Sequence, residues 1–220
     1  MDYGSVLGDS FGYAKDSVIG KWKQWLLFLI ATILLTIPLL GYVLKVFRGE
    51  KPAPEVDGWG TLIIDGIKYA IVSIIWAIPC IIILVLLAGS LIGAIATMNT
   101  AAMMAFVTGA IISFILLVIV AIITGLLATI GIIRFARTGS MGEAFNFGAI
   151  LETIGKIGWG TYIIAMIVLI IVQVIFFAVI SGLNMIVPML GLVVEFIILA
   201  PYSIFVARYL CQVYDAAGTA

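Results

Sequence analysis

Glu195 is the residue that most needs a chemical explanation, being the only formal charge between Lys156 and Arg208 in an otherwise apolar stretch. An ionised side chain held at membrane depth costs on the order of 3 kcal/mol or more on insertion scales. Two neighbours offer a reason for its presence. With a turn near residues 181–188, Gln173 falls at the depth of Glu195 on an adjacent antiparallel helix, within hydrogen-bonding reach. Tyr202 lies two turns below Glu195 on the same helical face. The trio Glu195, Gln173 and Tyr202 reads either as an intramembrane proton or cation site or as a neutral carboxyl group that pins two helices. A third reading makes Glu195 a residue near the outer surface that reaches water, since it lies only a few residues past Pro188, and the pinning and surface readings together outweigh the site.

Elsewhere the residues of catalysis are missing or scattered. Histidine is absent, which removes the commonest general base, metal ligand and pH switch together. Cys80 lies inside an apolar run and Cys211 near the C-terminal end, which makes neither a disulfide framework nor a metal-ligand spacing. Asp65-Gly66 matches the opening of the CDP-alcohol phosphotransferase motif, but the Ala-Arg and further aspartates that would hold its metals do not follow. There is no phosphate-binding glycine loop and no basic and aromatic stripe for nucleic acid. The small residues of Gly89-Ser90-Leu91-Ile92-Gly93, and of Gly109 with Ser113, let helices approach closely and serve packing within the chain or between copies. The expectation is a non-enzymatic protein with no catalytic residue, cofactor or metal.

The elements that must carry these residues follow from solvent. Of 220 residues 65% are apolar and 10% charged, against about 45–50% and 25% in soluble domains, so most of the chain suits lipid. Eleven bases balance eleven acids, so charge acts locally and not as a field over the whole molecule. The first apolar run follows about two dozen residues, is long enough to span and has no small-residue cleavage site; no removable signal peptide is read there. Gln24 to Leu44 is free of charge for 21 residues, about one crossing. Tyr69 to Ile133 is free of charge for 65; as one helix it would be about 98 Å long, three times the ~30 Å core, so it must fold back. Thr97-Met98-Asn99-Thr100 is the expected break. A second hairpin runs from Ile157 past Glu195, with its turn expected at Ser181-Gly182-Leu183-Asn184, just before Pro188 and Gly191.

The fold class expected is an all-α polytopic membrane bundle of about five membrane segments with interfacial amphipathic helices, in one membrane domain. Its parts are an interfacial helix over 1–24, membrane segment 1 over 25–47, a Pro-rich acidic loop over 48–68, hairpin helices over 69–96 and 101–133, an interfacial helix over 139–156, and hairpin helices over 157–182 and 186–212. Lysine and arginine flank the hairpins and leave both tips bare, which puts the main loops on the cytoplasmic side of the membrane. Five full crossings would then place the N-terminus, with Lys15, Lys21 and Lys23, outside. Two paths for the first segment address this: a re-entrant pair of half-helices broken near Pro38 and Gly41 and buried in protein, or one kinked span with an exported tail.

Phe11-Gly12 followed by Asp16-Ser17-Val18 recurs as Phe147-Gly148 followed by Glu152-Thr153-Ile154, with Trp59-Gly60 and Asp65 as a looser copy. Ile37-Pro38-Leu39-Leu40-Gly41 likewise matches Val187-Pro188-Met189-Leu190-Gly191. These indicate a degenerate repeat of surface helix plus membrane hairpin. In residues 6–22, Leu7, Phe11, Ala14, Val18 and Trp22 share one face opposite Asp9, Asp16 and Lys23. In the later copy Ser140 and Glu143 form a capping box before Ala144, Phe147, Leu151 and Ile154. Both helices suit the headgroup level, with Trp22, Trp25, Trp59 and Trp159 in the interfacial belt.

The most distinctive writing is the loop from Arg48 to Gly60, stiffened by Pro52 and Pro54 and turned at Asp57-Gly58. Gly41-Tyr42, Arg48-Gly49-Glu50, Pro54-Glu55-x-Asp57-x-Trp59-Gly60, Asp65-Gly66-x-Lys68 and the stretch from Arg134 and Arg137 to Phe145 and Phe147 together resemble an archaeal membrane family catalogued as domain of unknown function 4013. Val56 stands where that pattern has an aromatic. The resemblance implies an archaeal cell membrane and several spans, and it implies no activity. The expected partners are membrane lipid and a second copy or another protein at the cytoplasmic loops, with no nucleic acid. The leading function is a structural or accessory membrane component; the alternative is a small transporter or channel using Glu195.

Overall fold

A computed structural model describes residues 1–33, 36–187 and 189–218. Among the described residues the regular structure is helical: α1 Tyr3–Val18, α2 Trp22–Ile33, α3 Ile37–Phe47, α4 Trp59–Thr97, α5 Thr100–Thr138, a 3₁₀ turn Met141–Phe145, α6 Phe147–Ile157, α7 Trp159–Ile186 and α8 Leu190–Asp215. Four of these, α4, α5, α7 and α8, are long and apolar enough to cross a membrane. The chain divides into two compact units, residues 1–70 with 129–220, and residues 71–128.

In the first unit, α8 is the central element, packed by α1, α2, α3 and α7. The Asp2 carboxylate caps α1 by accepting from the Gly4 and Ser5 amides, and Gly20 at φ +77° follows its end. The helix therefore stops at Val18, and Trp22 begins the next one instead of extending the expected stripe. Its packed face is Val6, Ser10, Ala14 and Ser17, while Phe11 stands out at 67% exposure. Small side chains bring α1 close to α8; the large apolar ones are left for the surroundings.

The first apolar segment doubles back. The Phe28 and Tyr42 rings meet edge to face 4.8 Å apart, and Gln24 Nε2 and the Tyr42 hydroxyl donate to the same Pro54 carbonyl oxygen at 3.0 and 2.7 Å. In a continuous helix Phe28 and Tyr42 would be about 21 Å apart. Thr36 adopts φ +64° at the turn, and Pro38 falls in the first turn of α3, where its missing N–H is harmless. The break thus lies before Pro38. Gly41 is an interior residue of α3 whose hydrogen faces the Leu62 carbonyl of α4, and Gly66 of α4 faces the Ile37 carbonyl in return; a Cβ at either would overlap backbone.

Gly58-Trp59-Gly60-Thr61 and Gly158-Trp159-Gly160-Thr161 open α4 and α7 identically, each with its first glycine at positive φ, +63° and +87°. The interfacial-helix region over 139–156, in the first unit, differs from the capping-box expectation. Ser140 makes no side-chain cap, residues 141–145 form a 3₁₀ turn, and Asn146 caps α6 through Ala149 N at 3.2 Å. Glu143 is drawn instead to Arg134 at 2.5 Å and Asn146 at 3.1 Å, because a guanidinium outcompetes a backbone amide for a carboxylate.

The second unit is the membrane hairpin itself. α4 and α5 break at Thr97 and Thr100, where the chain is expected to turn, and Asn99 Oδ1 accepts from Ala101 N at 2.8 Å. At 39 residues apiece, each full helix is about 58 Å long. The other hairpin turns later than expected. α7 continues through Ser181, Gly182 and Asn184 to Ile186, and Val187 is the first extended residue, φ −130°, because a residue preceding proline disfavours the helical region. Pro188 itself lies outside the described residues.

Candidate functional site

The polar chemistry of the first unit gathers at the end where α1 meets α8. The Arg208 side chain, 4% exposed, donates through Nε and an Nη to Asp9 Oδ2 at 2.9 and 2.7 Å and lies 5.1 Å above the Tyr13 ring. Tyr13 in turn donates to the Glu50 carbonyl oxygen at 2.8 Å. Burial pushes the Tyr13 hydroxyl up to about 12, with Arg208 pulling it the other way. One turn below Arg208, Gln212 Nε2 reaches Ser10 Oγ at 2.8 Å and the Val6 carbonyl at 3.2 Å. Tyr3 closes the same end by donating to the Thr161 carbonyl at the start of α7.

Arg137 ties α5 to the end of α3 and to α8, donating to the Phe47 carbonyl at 2.7 Å and to Asp215 at 2.7 Å beside the Tyr214 ring. Gly49, at φ +87°, leaves room for that guanidinium, which a Cβ would strike. Lys45 pairs with Asp57 and Arg48 with Asp65. Lys45 holds the Asp57 carboxyl below the usual range, and hydrogen bonds from Arg134 and then Asn146 do the same for Glu143. These pairs fasten one element to another, and each is completed by a side chain of this chain. Among the described residues no three His, Cys, Asp or Glu side chains gather as a metal would require.

Gln173, Glu195 and Tyr202 are placed differently from one another. Gln173 of α7 lies beside the Tyr202 hydroxyl, which is sealed from solvent and makes no hydrogen bond of regular geometry. The Tyr202 ring stacks on Phe176 at 4.1 Å, 8° from parallel. Glu195 is half-buried and hydrogen-bonds neither to Gln173 nor to Tyr202. The later turn is the reason: with the hairpin centred near residue 188, Gln173 faces the level of Tyr202, and seven residues of helix lift Glu195 about 10 Å above it.

An apolar cleft of about 620 Å³ opens between α1 and the α7–α8 pair, walled by Phe11, Val18, Val172, Phe176, Ile198 and Phe205, with Lys15 also on its lining. Sequence reasoning missed this cleft, since its walls come from three helices and run from Phe11 to Phe205, and none of those residues is unusual for its own helix.

The stretch from Gly41 and the Arg48–Gly60 loop to Arg134 and Arg137 lies within residues 25–186, which a model of one family, described as a protein of unknown function (DUF4013), matches. The chain belongs to the DUF4013 family. No curated protein and no solved structure matches it. The structure gives the residues that carry the resemblance physical roles: Gly41 and Gly66 admit opposing carbonyls, Tyr42 grips the Pro54 carbonyl, Asp57 and Asp65 neutralise Lys45 and Arg48, and Arg137 binds Phe47 and Asp215. Val56 is buried within the loop.

Proposed function

We propose that this protein is a non-enzymatic structural or accessory component of a cell membrane, with four crossings, a re-entrant α2–α3 hairpin, and both ends of the chain and its main loops in the cytoplasm. The observation that carries this reading is the contact of Phe28 with Tyr42. Helices of 12 and 11 residues reach only about 18 Å, well short of the ~30 Å core. A segment that enters and returns leaves an even number of crossings. All eleven lysines and arginines then lie on one side, as the retention of basic residues requires, and Glu195 is the lone charge near the other. The nearly complete burial of α3 supports the insertion, because a turn within a bilayer survives only when protein surrounds it.

The charged groups support a fastening role. Lys45, Arg48, Arg134, Arg137 and Arg208 are each paired with a carboxylate that helps hold α1, the loop, α5 and α8 together, and among the described residues no acid, base and nucleophile converge. Labelling single cysteines with a membrane-impermeant maleimide in intact cells tests the topology, in a background lacking Cys80 and Cys211. Gly8→Cys should be protected and Asn99→Cys labelled; labelling of both would establish a fully crossing first segment and sink the reading. Recovery of the native protein in mild detergent, followed by identification of what accompanies it, tests the accessory role.

The Glu195 carboxylate supports a second reading, a small transporter or channel, since it makes no hydrogen bond or ion pair with any described residue. Under it Glu195→Gln abolishes coupled flux in vesicles; under the first reading the variant folds normally and keeps its partners.

A further inference from the structure

Unlike the hollow of about 430 Å³ on the other hairpin, lined by Leu86, Phe106 and Gly109 among others and by no charged residue, the cleft between α1 and the α7–α8 pair is set apart by its height and its one charge. Its volume of about 620 Å³ falls within the range of ~300–1,000 Å³ that holds a small ligand. The walls offered by Val172, Phe176, Ile198 and Phe205 are hydrocarbon and aromatic. Its height is set by α1, which is bolted to the charged end of α8 through Asp9–Arg208 and Ser10–Gln212. A chain entering from the bilayer would thus reach the level at which headgroups begin.

The charge at the rim is asymmetric. Lys15 lines the cleft, lies exposed, and has no ion-pair partner among the described residues. Its acidic neighbour Asp16 makes no ion pair with it and lines a separate polar hollow with Asp9, Lys51 and Arg208. An apolar slot ending at an unmatched ammonium group is complementary to an anionic amphiphile.

We propose that this cleft binds one anionic membrane lipid, with a hydrocarbon chain between Phe11, Phe176 and Ile198 and the phosphate on Lys15. The site is separate from Glu195 and does not rest on the chain's being either an accessory component or a transporter.

Native mass spectrometry of the full chain in mild detergent tests it, with a diacyl phosphatidylglycerol and the phosphatidylcholine of identical chains as probes. One phosphatidylglycerol per chain should be retained roughly fivefold better than phosphatidylcholine, the weight of one lysine at a lipid surface. Lys15→Gln, an exposed change with no packing cost, should erase that preference while leaving chain binding. Ile198→Trp should fill the slot and lower retention of both lipids by roughly tenfold, with helicity by circular dichroism unchanged; Ile175→Trp, at another lining position that is 58% exposed, serves if the first variant misfolds. Equal retention of the two lipids by the parent chain, or parent-like retention by the folded tryptophan variants, overturns the proposal. So does a photo-crosslinker at position 198 that captures a protein segment and no lipid.

Discussion

Residues 71–128 and the remainder of the chain are two answers to the same solvent. The hairpin 71–128 carries no formal charge, and many of its large side chains, such as Ile82, Leu86, Ile112 and Phe114, are exposed. The other unit holds every charge in the sequence and buries α3, the end of α5 and the C-terminal half of α8. Even one helix changes character at the boundary: α5 is open along most of its length, yet Ile130, Gly131, Ile132, Ile133, Phe135 and Ala136 are buried. The lesson is that hydrophobicity alone puts a helix in lipid, whereas a specific arrangement of helices there needs close backbone approach and directional polar contacts, since lipid competes equally for apolar side chains.

The sharpest way to break this comparison is at glycine. Gly41→Leu or Gly66→Leu drives a side chain into an opposing carbonyl, and overpacking of that kind costs about 3 kcal/mol or more; thermal unfolding in detergent should show loss of the folded form. The same change at Gly89 or Gly109, where a Cβ meets nothing within 4 Å, should leave the midpoint within experimental error. Equal damage at all four sites would erase the distinction between the two regions.

A smaller effect is expected from the polar end. Asp9→Asn leaves the nearly buried Arg208 without its counter-charge, but Asp9 itself is 52% exposed, so the cost is nearer a charged hydrogen bond, about 1–2 kcal/mol after solvent screening. Adding Arg208→Met should recover part of it, measured as coupling in a double-mutant cycle.

The smallest effect is one of pH. Glu143 has its carboxyl held below the ordinary value by Arg134, so its contribution is complete above the unfolded carboxyl's value, ~4.3, and is lost as pH falls through the lower folded value. The midpoint should therefore decline on acidification from about pH 5 to pH 3, and Glu143→Gln should flatten that part of the decline. The hairpin 71–128, having no charge, should contribute nothing to it.

Much of this was legible from the residues in order. The break at Thr97–Thr100 is marked because a polar tetrapeptide interrupts an uncharged run too long for one crossing, and Asn99 then serves as the cap its type favours. The second turn was misplaced by about four residues because Ser181, Gly182 and Asn184 are turn formers in water. At the end of an apolar helix they continue it until the residue before Pro188. That shift also moved Gln173 from the level of Glu195 to that of Tyr202. Glu143 looked like a cap because its spacing from Ser140 suited one, while its true partner, Arg134, comes from the preceding helix.

Composition and the lengths of uncharged intervals by themselves determined that the chain is helical, lipid-solvated and folded into hairpins, because a backbone without water must satisfy its own hydrogen bonds within each segment. Only the tertiary structure decided that the first apolar segment turns back, that Arg208 belongs to Asp9, and that Lys15 overlooks an apolar cleft. Each of these depends on which carbonyl, ring or charge arrives opposite a residue from a distant part of the chain, and periodicity within one helix carries no information about what faces it.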